Sequence, residues 1–475
     1  MTDFFDEFKP IRNILRKLNF QDVLNDLYAI RTNKQSAIVP EVVEFIYLNS
    51  IVYSPNYKNI KIKDSQKEWG KLLKMSVDLN NKINAIWIEQ NLWGYLHKMM
   101  LNQLKSGSDD YHRHLYRYYY IFSKDAIAEH IESMIGMPYK DFFVCAMWLH
   151  SVFIKKFFRF DKLYFLKDIW KDTTFSIENM TKTLNILAVP FVELNQSLKN
   201  ELRYDLNTFI THDYYHIKKP IFELDGILYC LFHEQLLNQF TSGIYYIAEI
   251  IKNENDLSNQ FGNAFEDYVG LIIEKSNNSN SFTITKELVF KTNGNVHKTS
   301  DWIIEKENDI IFIECKTKRL QIESKKKEDI LKSDIDEIAK AVVQVYKVYF
   351  QYTKDKIPIM EYDSSKNLIP IILTLEEWFA SVPTITEEIT RIVKSKLKEK
   401  NLDESLVDRF KFNIMSISSF EKDIQIMTKV GFKQYFETLA NGKLKYEDFN
   451  FSNYFQDEID QLFIKPLEKQ FSRFS

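Results

Sequence analysis

The chain has 475 residues, of which 45% are hydrophobic and 15% aromatic, so it contains enough apolar material for about two to four compact domains. Glycine (11 residues) and proline (10 residues) are scarce, which favours long helices over a fold made mainly of strands. The net charge of −3 excludes a uniformly basic nucleic-acid-binding protein, and any contact with nucleic acid must therefore come from local basic patches.

The cysteine content and the apolar patterning predict a soluble, cytoplasmic protein. Cys145, Cys230 and Cys315 are scattered and have neither zinc-site spacing nor the density of a disulfide framework, which is typical of reduced cytosolic thiols. The N-terminal stretch MTDFFDEFKPIRN is charged and lacks the apolar core of a signal peptide. No apolar run reaches the roughly 18–20 residues that a membrane-spanning helix needs, so we expect no membrane contact.

Residues 1–252 are predicted to form a large, mostly helical N-terminal region that regulates the protein, binds a partner or contacts nucleic acid. The stretch 219–232 predicts a strand, a turn at Asp225-Gly226 and then a second strand, which would form a hairpin, or the start of a helix; a helix over 233–255 follows. Apolar residues at helical spacing mark the earlier helices, which we predict within 4–18, 23–30, 39–53, 69–104, 110–136 and 145–166.

Two stretches in this region have both a functional and a structural interpretation. Basic residues alternate with tyrosines around Arg117. In one interpretation the tyrosines stack on bases and the basic residues neutralise phosphates. In the other, the stretch is a helix whose tyrosines pack inward while Arg and His face water. We favour the second interpretation. His212 and His216 have the i, i+4 spacing of a helical metal site, but no HExxH pattern accompanies them, and we favour an interhelical surface.

The segment 253–380 contains the residues that carry a function. A helix is predicted over 262–275 and includes Glu266, and an alternating strand pattern over 281–290 ends at a turn around 292–295. Asp301 then directly precedes the apolar run WII, and the next apolar run, DIIFI, leads into Glu314. The polar stretch EKEND between these runs predicts a β-hairpin.

Neighbouring antiparallel strands would bring Asp301 and Glu314 within reach of one cation. Because strand side chains alternate between faces, Glu314 and Lys316 point the same way and Cys315 points the opposite way. Two carboxylates, the Cys315 backbone carbonyl and water suit Mg²⁺ or Mn²⁺, which prefer oxygen ligands. Lys316 would orient a bound water or stabilise charge in the transition state, and Glu266 would complete the site directly or through a water.

The order Asp301…Glu314-Cys315-Lys316, with Glu266 on the preceding helix, resembles the signature of the PD-(D/E)XK nuclease superfamily. The resemblance covers roughly residues 255–380, and one departure is that Ser300, not proline, precedes the aspartate. It implies a restriction-endonuclease-like core, with a small mixed sheet flanked by helices, and hydrolysis of nucleic-acid phosphodiesters. By the same analogy we expect a role in microbial restriction or antiviral defence.

A basic stretch follows the predicted site. Residues 316–327 contain six basic residues and one acid, which predicts either phosphate contacts or a solvated loop. A long helix is then predicted from 327 to about 353, followed by a core strand over 369–375. The candidate nucleic-acid contacts are Lys318, Arg319, Lys325, Lys326, Lys340 and Gln344.

The segment 381–475 is predicted to be a smaller, α-rich appendage, with helices at 384–400 and 454–473 and a strand within 410–424. The predicted fold is therefore mixed α and β. The function that these observations favour is a divalent-metal-dependent endonuclease that acts on DNA rather than RNA. The alternatives are a non-catalytic scaffold that binds nucleic acid or protein, and an effector that is silent without an activating protein partner. A homodimer is also expected if both strands of a duplex are cut.

Overall fold

The computed structural model of the chain describes most residues between Phe4 and Lys465. The two histidines of the 212–216 stretch lie outside the described residues. The described ranges are 4–33, 35–54, 60–90, 108–155, 158–166, 176–202, 204, 218–248, 257–277, 281–292, 294–317, 328–354, 356–358, 360–377, 383–440 and 456–465.

Helices account for most of the described secondary structure, and local signals explain several of their boundaries. The Asn19 side chain accepts a hydrogen bond from the Asp22 N–H at the start of the second helix, and Pro40 begins the third. The helices are α1 Phe5–Leu15, α2 Phe20–Thr32, α3 Pro40–Tyr53, α4 Gln66–Gln90, α5 Ser108–Phe122, α6 Asp125–Ile135, α7 Tyr139–Lys155, α8 Ile177–Leu187, α9 Phe191–Glu201, α10 His233–Phe240, α11 Ile244–Ile247, α12 Leu257–Ser276, α13 Glu328–Thr353, α14 Pro383–Glu399, α15 Leu406–Arg409, α16 Ile417–Val430, α17 Phe432–Ala440 and α18 Gln456–Ile459.

Short 3₁₀ segments occur at Ile62–Asp64 and Lys162–Leu166, and a π-helical turn occurs at Asp460–Ile464. The strands of the described chain are mostly short. They are β1 Arg159–Asp161, β2 Ala188–Pro190, β3 Ile221–Leu224, β4 Ile227–Tyr229, β5 Thr283–Lys286, β6 Val289–Thr292, β7 Asn295–Lys298, β8 Trp302–Lys306, β9 Asp309–Lys316, β10 Asn367–Thr374 and β11 Asn413–Ser416.

The chain divides into two compact units, and the first takes the described residues within Met1–Ser108 and Ala128–Glu249. Its strands form a small sheet in the order β1-β4-β3-β2, in which β2 and β3 are parallel. The predicted hairpin at 219–232 is confirmed as β3 and β4, and Asp225 and Gly226 adopt positive φ at its turn. Aromatic side chains such as Phe222 and Tyr229, which stack with ring centroids 4.8 Å apart, fill the core beside this sheet.

The second unit takes the described residues within Asp109–Ile127 and Ile250–Glu468. Its main sheet, among the described residues, has the strand order β11-β10-β9-β8-β5. The pairs β5–β8 and β8–β9 are antiparallel, whereas β9–β10 and β10–β11 are parallel, so the sheet is mixed. The predicted hairpin of β8 and β9 is confirmed, as are the predicted helices α12 and α13 that precede and follow it.

Helices cover both faces of this mixed sheet. On one face the Trp302 indole N–H donates a hydrogen bond to the Glu266 carbonyl of α12 (3.1 Å). Phe312 points to the other face, because it pairs with Ile303 and not with Trp302 in the register, and its ring lies 6.2 Å from that of Tyr352 on α13. The sheet is therefore buried between α12 and α13.

The two observed units differ from the predicted division at residues 252 and 380. The segment after 380 belongs with the sheet because β11 pairs in parallel with β10, and α14 packs on α13. Within the first 252 residues, the chain from Asp109 to Ile127 also belongs to the second unit. The strand predicted within 410–424 is confirmed as β11, but its pairing with β10, which is distant in the chain, cannot be recognised from local sequence.

Helix α5 is held in the second unit by a buried ion pair. Both Arg117 Nε and Nη2 donate to the Glu421 carboxylate at 2.7 Å, and the Tyr268 hydroxyl donates to the same carboxylate at 2.8 Å. The expectation that Arg117 faces water is therefore wrong, because Arg117 is buried and the Glu421 carboxylate neutralises its charge. Arg117 is not available for phosphate contact.

None of the helices in the described ranges combines the length and the apolarity that crossing a membrane requires.

Candidate active site

Asp301 and Glu314 are brought together by the register of β8 and β9. Trp302 pairs with Ile313 in this antiparallel ladder, and continuing the register by one residue places Asp301 opposite Glu314. Directly opposed residues share one face of a sheet, with Cβ atoms about 4.5–5.5 Å apart. The predicted proximity of the two acids therefore follows from the observed pairing.

Beyond the last residue pair of β8 and β9, the Asp301 carboxylate takes the place of a backbone carbonyl as the hydrogen-bond acceptor. The Cys315 N–H donates to Asp301 Oδ2 at 2.7 Å, and Asp301 is only 8% exposed. Because the N–H and C=O of a strand residue point to the same side, the Cys315 carbonyl also faces the Asp301 side of β9. The Cys315 thiol is buried, as predicted from strand alternation, and burial raises its pKa well above the usual range.

Glu314 is 1% exposed, and its two carboxylate oxygens differ in their hydrogen bonding. Its Oε1 accepts a hydrogen bond from Lys316 Nζ at 2.8 Å. Its Oε2 is buried and has no hydrogen-bond partner among the described residues. A buried carboxylate oxygen without a partner is costly, so this atom marks a position at which a ligand would stabilise the protein.

Burial and mutual repulsion make the acids hard to ionise. Burial first, and then the Asp301 carboxylate, raise the pKa of Glu314 to about 8, although Lys316 opposes this shift. Burial likewise raises the pKa of Asp301, although the hydrogen bond from the Cys315 N–H and the charge of Lys316 both lower it. Burial lowers the pKa of Lys316, but the hydrogen-bonded Glu314 carboxylate, together with Asp301 and Cys315, more than offsets this, and the net shift in the pKa is upward.

Glu266 lies on α12 and is half-buried. Burial, followed by repulsion from Asp301 and Glu287, raises its pKa to about 7, so the third predicted acid lies in the electrostatic field of the other two. Its helix approaches the sheet closely because residue 270 is glycine: a Cβ there would lie 2.2 Å from the Trp302 ring. The hydrogen bond from Trp302 to the Glu266 carbonyl holds this helical turn in place.

The structure adds charged residues that sequence reasoning missed. Glu287 follows β5, and its carboxylate accepts hydrogen bonds from Lys298 Nζ at 3.0 and 3.2 Å. The Lys298 ammonium interacts electrostatically with Asp301 and Glu266, and Lys286 does so with Glu266. Lys286 ends β5 and Lys298 ends β7, which belong to different sheets, so no local sequence pattern marks these residues as neighbours of the acids.

The predicted nucleic-acid contacts are only partly described. Lys318, Arg319, Lys325 and Lys326 lie outside the described residues. Lys340 lies on the exposed side of α13 and forms ion pairs with Asp336 (3.3 Å) and Glu337 (2.6 Å). Gln344 is half-buried on the same helix, and in the described structure it makes no hydrogen bond to the three acids.

The arrangement offers a compact set of oxygen donors. The two opposed carboxylates, the unpartnered Glu314 Oε2 and the Cys315 carbonyl are of the type that hard divalent cations prefer. In the described parts of the chain, no three side chains of His, Cys, Asp or Glu form a group that could hold a metal ion. The groups that could hold a cation here are the Asp301 and Glu314 carboxylates and the Cys315 backbone carbonyl, together with water.

Comparisons of the chain with protein-family models, with curated proteins and with solved structures find no match.

Proposed function

We propose that this protein is a divalent-metal-dependent nuclease that hydrolyses phosphodiester bonds, with DNA as its substrate. The observation that carries the proposal is the register that sets Asp301 opposite Glu314, with Lys316 two residues further on the same face. Burying two carboxylates side by side is unfavourable unless something compensates their charge. A divalent cation is the simplest compensating group.

The surrounding fold supports the proposal. The resemblance to PD-(D/E)XK nucleases implies a small mixed sheet with helices on both faces. Strands β5, β8, β9, β10 and β11 form a mixed sheet that α12 and α13 cover on opposite sides. The three acids, predicted from sequence order alone, lie at one end of β8 and β9 and on the helix packed over them.

Mg²⁺ or Mn²⁺, when bound, would polarise a phosphate oxygen and lower the pKa of a bound water. Asp301 and Glu314 would hold it through their free oxygens, which requires Glu314 to lose its proton. Lys316, on the same face and positively charged, would contact the phosphate or the attacking water. Glu266, with a pKa near 7, would accept a proton through an intervening water.

A cleavage assay tests the proposal. Plasmid, linear duplex, single-stranded DNA and RNA would each be incubated with the full-length chain in Mg²⁺, in Mn²⁺ and in EDTA. We expect cutting that requires metal and that falls at least 100-fold in Asp301→Asn and Glu314→Gln. Glu274→Gln, which changes an exposed acid on α12, is the matched control and should cut like the parent. Equal cutting by the Asp301 variant would refute the site.

A non-catalytic scaffold is the second candidate, and one observation favours it. The Lys316 ammonium, which is hydrogen-bonded to Glu314, already neutralises part of the Glu314 charge without a metal. Mn²⁺ titration by calorimetry separates the two proposals, because a scaffold should bind no Mn²⁺ at this site. Mn²⁺ binding that Asp301→Asn abolishes, without cutting of any substrate, would instead indicate an effector that needs an activating partner. A role in restriction or antiviral defence stays a prediction from the resemblance.

A further inference from the structure

The two antiparallel arms that lead to the acids change register by one residue. Strands β5 and β6 follow each other within 283–292 and pair with β8 and β7, respectively. Lys286 pairs with Trp302, whereas Val289 pairs with Lys298. Two residues therefore lie between these pairs on one arm and three on the other, and such an extra residue is a β-bulge.

Ser300 is the extra residue of this bulge. The Glu287 N–H donates to the Asp301 carbonyl at 2.8 Å. The Thr299 N–H donates to the Leu288 carbonyl at 3.0 Å. These bonds pair the residues on either side of Ser300 with the opposite arm and leave no residue opposite Ser300 itself. Bulges are common beside active sites, where they redirect a side chain.

The Thr299 side chain fixes the position of the bulge. Thr299 is fully buried, and its Oγ1 accepts a hydrogen bond from the Leu288 N–H at 2.8 Å. The same hydroxyl donates to the Ser300 carbonyl at 3.1 Å. In a regular antiparallel pair the Thr299 backbone carbonyl would accept the Leu288 N–H, so the hydroxyl replaces it at the point where the chain departs from the ladder. The Ser300 hydroxyl, by contrast, is buried and makes no hydrogen bond to a described residue.

The bulge decides which residues share a face with the acids. Lys298 and Asp301 are three residues apart, and in a regular strand they would point to opposite faces. Across the bulge they lie opposite Val289 and Glu287, which are two residues apart on the other arm and therefore share one face. In agreement with this placement, the Lys298 ammonium binds the Glu287 carboxylate at 3.0 Å and interacts electrostatically with Asp301.

The orientation of the Asp301 carboxylate depends on where the bulge lies. Asp301 Oδ2 accepts the Cys315 N–H at 2.7 Å, which directs this acid towards β9 and Glu314. A slip of one residue turns the side chains of a strand to the other face. If Asp301 became the extra residue in place of Ser300, the carboxylate would lose its position in the ladder and its bond to Cys315.

We propose that Thr299 is a positioning residue of the candidate active site: its hydroxyl fixes the bulge at Ser300 and thereby holds the Asp301 carboxylate opposite Glu314. This role rests on the proposed nuclease function, in which Asp301 is a metal ligand. Thr299 contacts neither the cation nor the substrate and acts through Asp301. Removing a group that orients a metal ligand typically costs about 10–100-fold in metal affinity or activity.

Hydrogen exchange resolved to single residues by mass spectrometry, without metal, tests the proposal. Thr299→Val keeps the shape of the side chain and removes the acceptor of the Leu288 N–H. We expect exchange of the Cys315 amide to accelerate at least about ten-fold more than exchange of the α14 amides, which report the stability of the whole unit. Thr299→Ser retains the hydroxyl and should keep exchange slow. Ser300→Ala, which removes an unpartnered hydroxyl from the next residue, is the matched control and should behave like the parent.

Mn²⁺ calorimetry and cleavage kinetics give a second readout. Thr299→Val should bind Mn²⁺ at least about ten-fold more weakly and should lower kcat with KM nearly unchanged, whereas Thr299→Ser and Ser300→Ala should resemble the parent. Equal acceleration of exchange at Cys315 and in α14 would mean that Thr299 only stabilises the fold, and would overturn the proposal. Thr299→Ser as impaired as Thr299→Val would also overturn it, because packing of the methyl group and not the hydroxyl would then be responsible.

A measurement on the parent does not depend on any variant folding. If the Thr299 hydroxyl holds Asp301 in place, the Leu288 and Cys315 amides are released by the same opening, and their exchange rates should depend equally on low concentrations of urea. Different urea dependences would contradict the positioning role.

Because exchange is measured without metal, failure of this role is distinguishable from failure of the proposed function. A parent that neither binds Mn²⁺ nor cuts, with the Cys315 amide released in Thr299→Val, would refute the nuclease proposal and retain Thr299 as the residue that positions Asp301. A parent that binds Mn²⁺ and cuts, with a Thr299→Val variant that matches it in exchange, Mn²⁺ affinity and kcat, would refute the positioning role alone.

Discussion

The Trp302 indole occupies the space that a side chain at Gly270 would need, so that a Cβ on residue 270 would lie 2.2 Å from Cζ2 and 2.5 Å from Cη2 of the ring. The same indole donates to the Glu266 carbonyl one helical turn earlier. Trp302 directly follows Asp301. One aromatic ring thus sets the distance between the helix that carries Glu266 and strand β8, which begins directly after Asp301.

Gly270→Ala is expected to destabilise the protein, although alanine is intrinsically the better helix former by about 1 kcal/mol. The clash with the buried Trp302 ring should cost about 1–3 kcal/mol net, and should displace α12 from the sheet. Urea unfolding monitored by circular dichroism measures this change. Gly262→Ala on the same helix is the control: a Cβ there meets nothing within 4 Å, and we expect it to be neutral or slightly stabilising. Equal stability of both variants would contradict the packing account.

Glu314→Gln is expected to change how stability depends on pH. Folding raises the pKa of Glu314 to about 8, so its proton stabilises the folded state fully below about pH 4, and that contribution is lost as pH rises towards 8. Glutamine does not titrate, so the stability of the variant relative to the parent should rise between pH 5 and 9. Each pH unit of pKa shift corresponds to about 1.4 kcal/mol. Parallel stability curves for the two proteins over this range would show that Glu314 ionises normally.

Mn²⁺ binding at pH 7 is expected to release a proton. Glu314, with a pKa of about 8, is mainly protonated at this pH and must ionise to become a ligand. Calorimetric titration in buffers of different ionisation enthalpy measures the number of protons released, which should be close to one and should fall as pH rises above 8. Binding without proton release at pH 7 would mean that Glu314 is not a ligand. The exposed-acid variant Glu274→Gln should leave the number unchanged.

Arg117→Ala is expected to destabilise the protein by about 3–5 kcal/mol, because it leaves the buried Glu421 carboxylate with only the Tyr268 hydroxyl as a partner. Replacing both charges, as in Arg117→Met/Glu421→Leu, should recover most of this loss, since no unpaired charge remains buried. Thermal or urea unfolding of the single and double variants measures the difference. A double variant as unstable as Arg117→Ala would show that the helix contributes by packing and not through the ion pair. Tyr268→Phe should cost only about 1 kcal/mol.

The sequence predicted the core of the second unit because its elements are long and strongly periodic. Helix α12, the β8–β9 hairpin and helix α13 follow from patterns that local physics decides: apolar periodicity, a polar turn and an acid at a strand end. Arg117 was misjudged for the opposite reason. Its environment depends on Glu421, which lies 304 residues away in the chain, and no local pattern records such a partner.

The sequence by itself determined the chemical identity of the candidate site and the secondary structure that carries it. Alternation along a strand already sets Glu314 and Lys316 on one face, and the hairpin already pairs Asp301 with Glu314. Tertiary structure alone decided that Glu314 is almost completely buried with an unpartnered oxygen, that Trp302 and Gly270 bring Glu266 close, and that β11 completes the sheet. These properties arise from contacts between distant segments, whose energies depend on burial and charge in three dimensions and not on neighbouring residues.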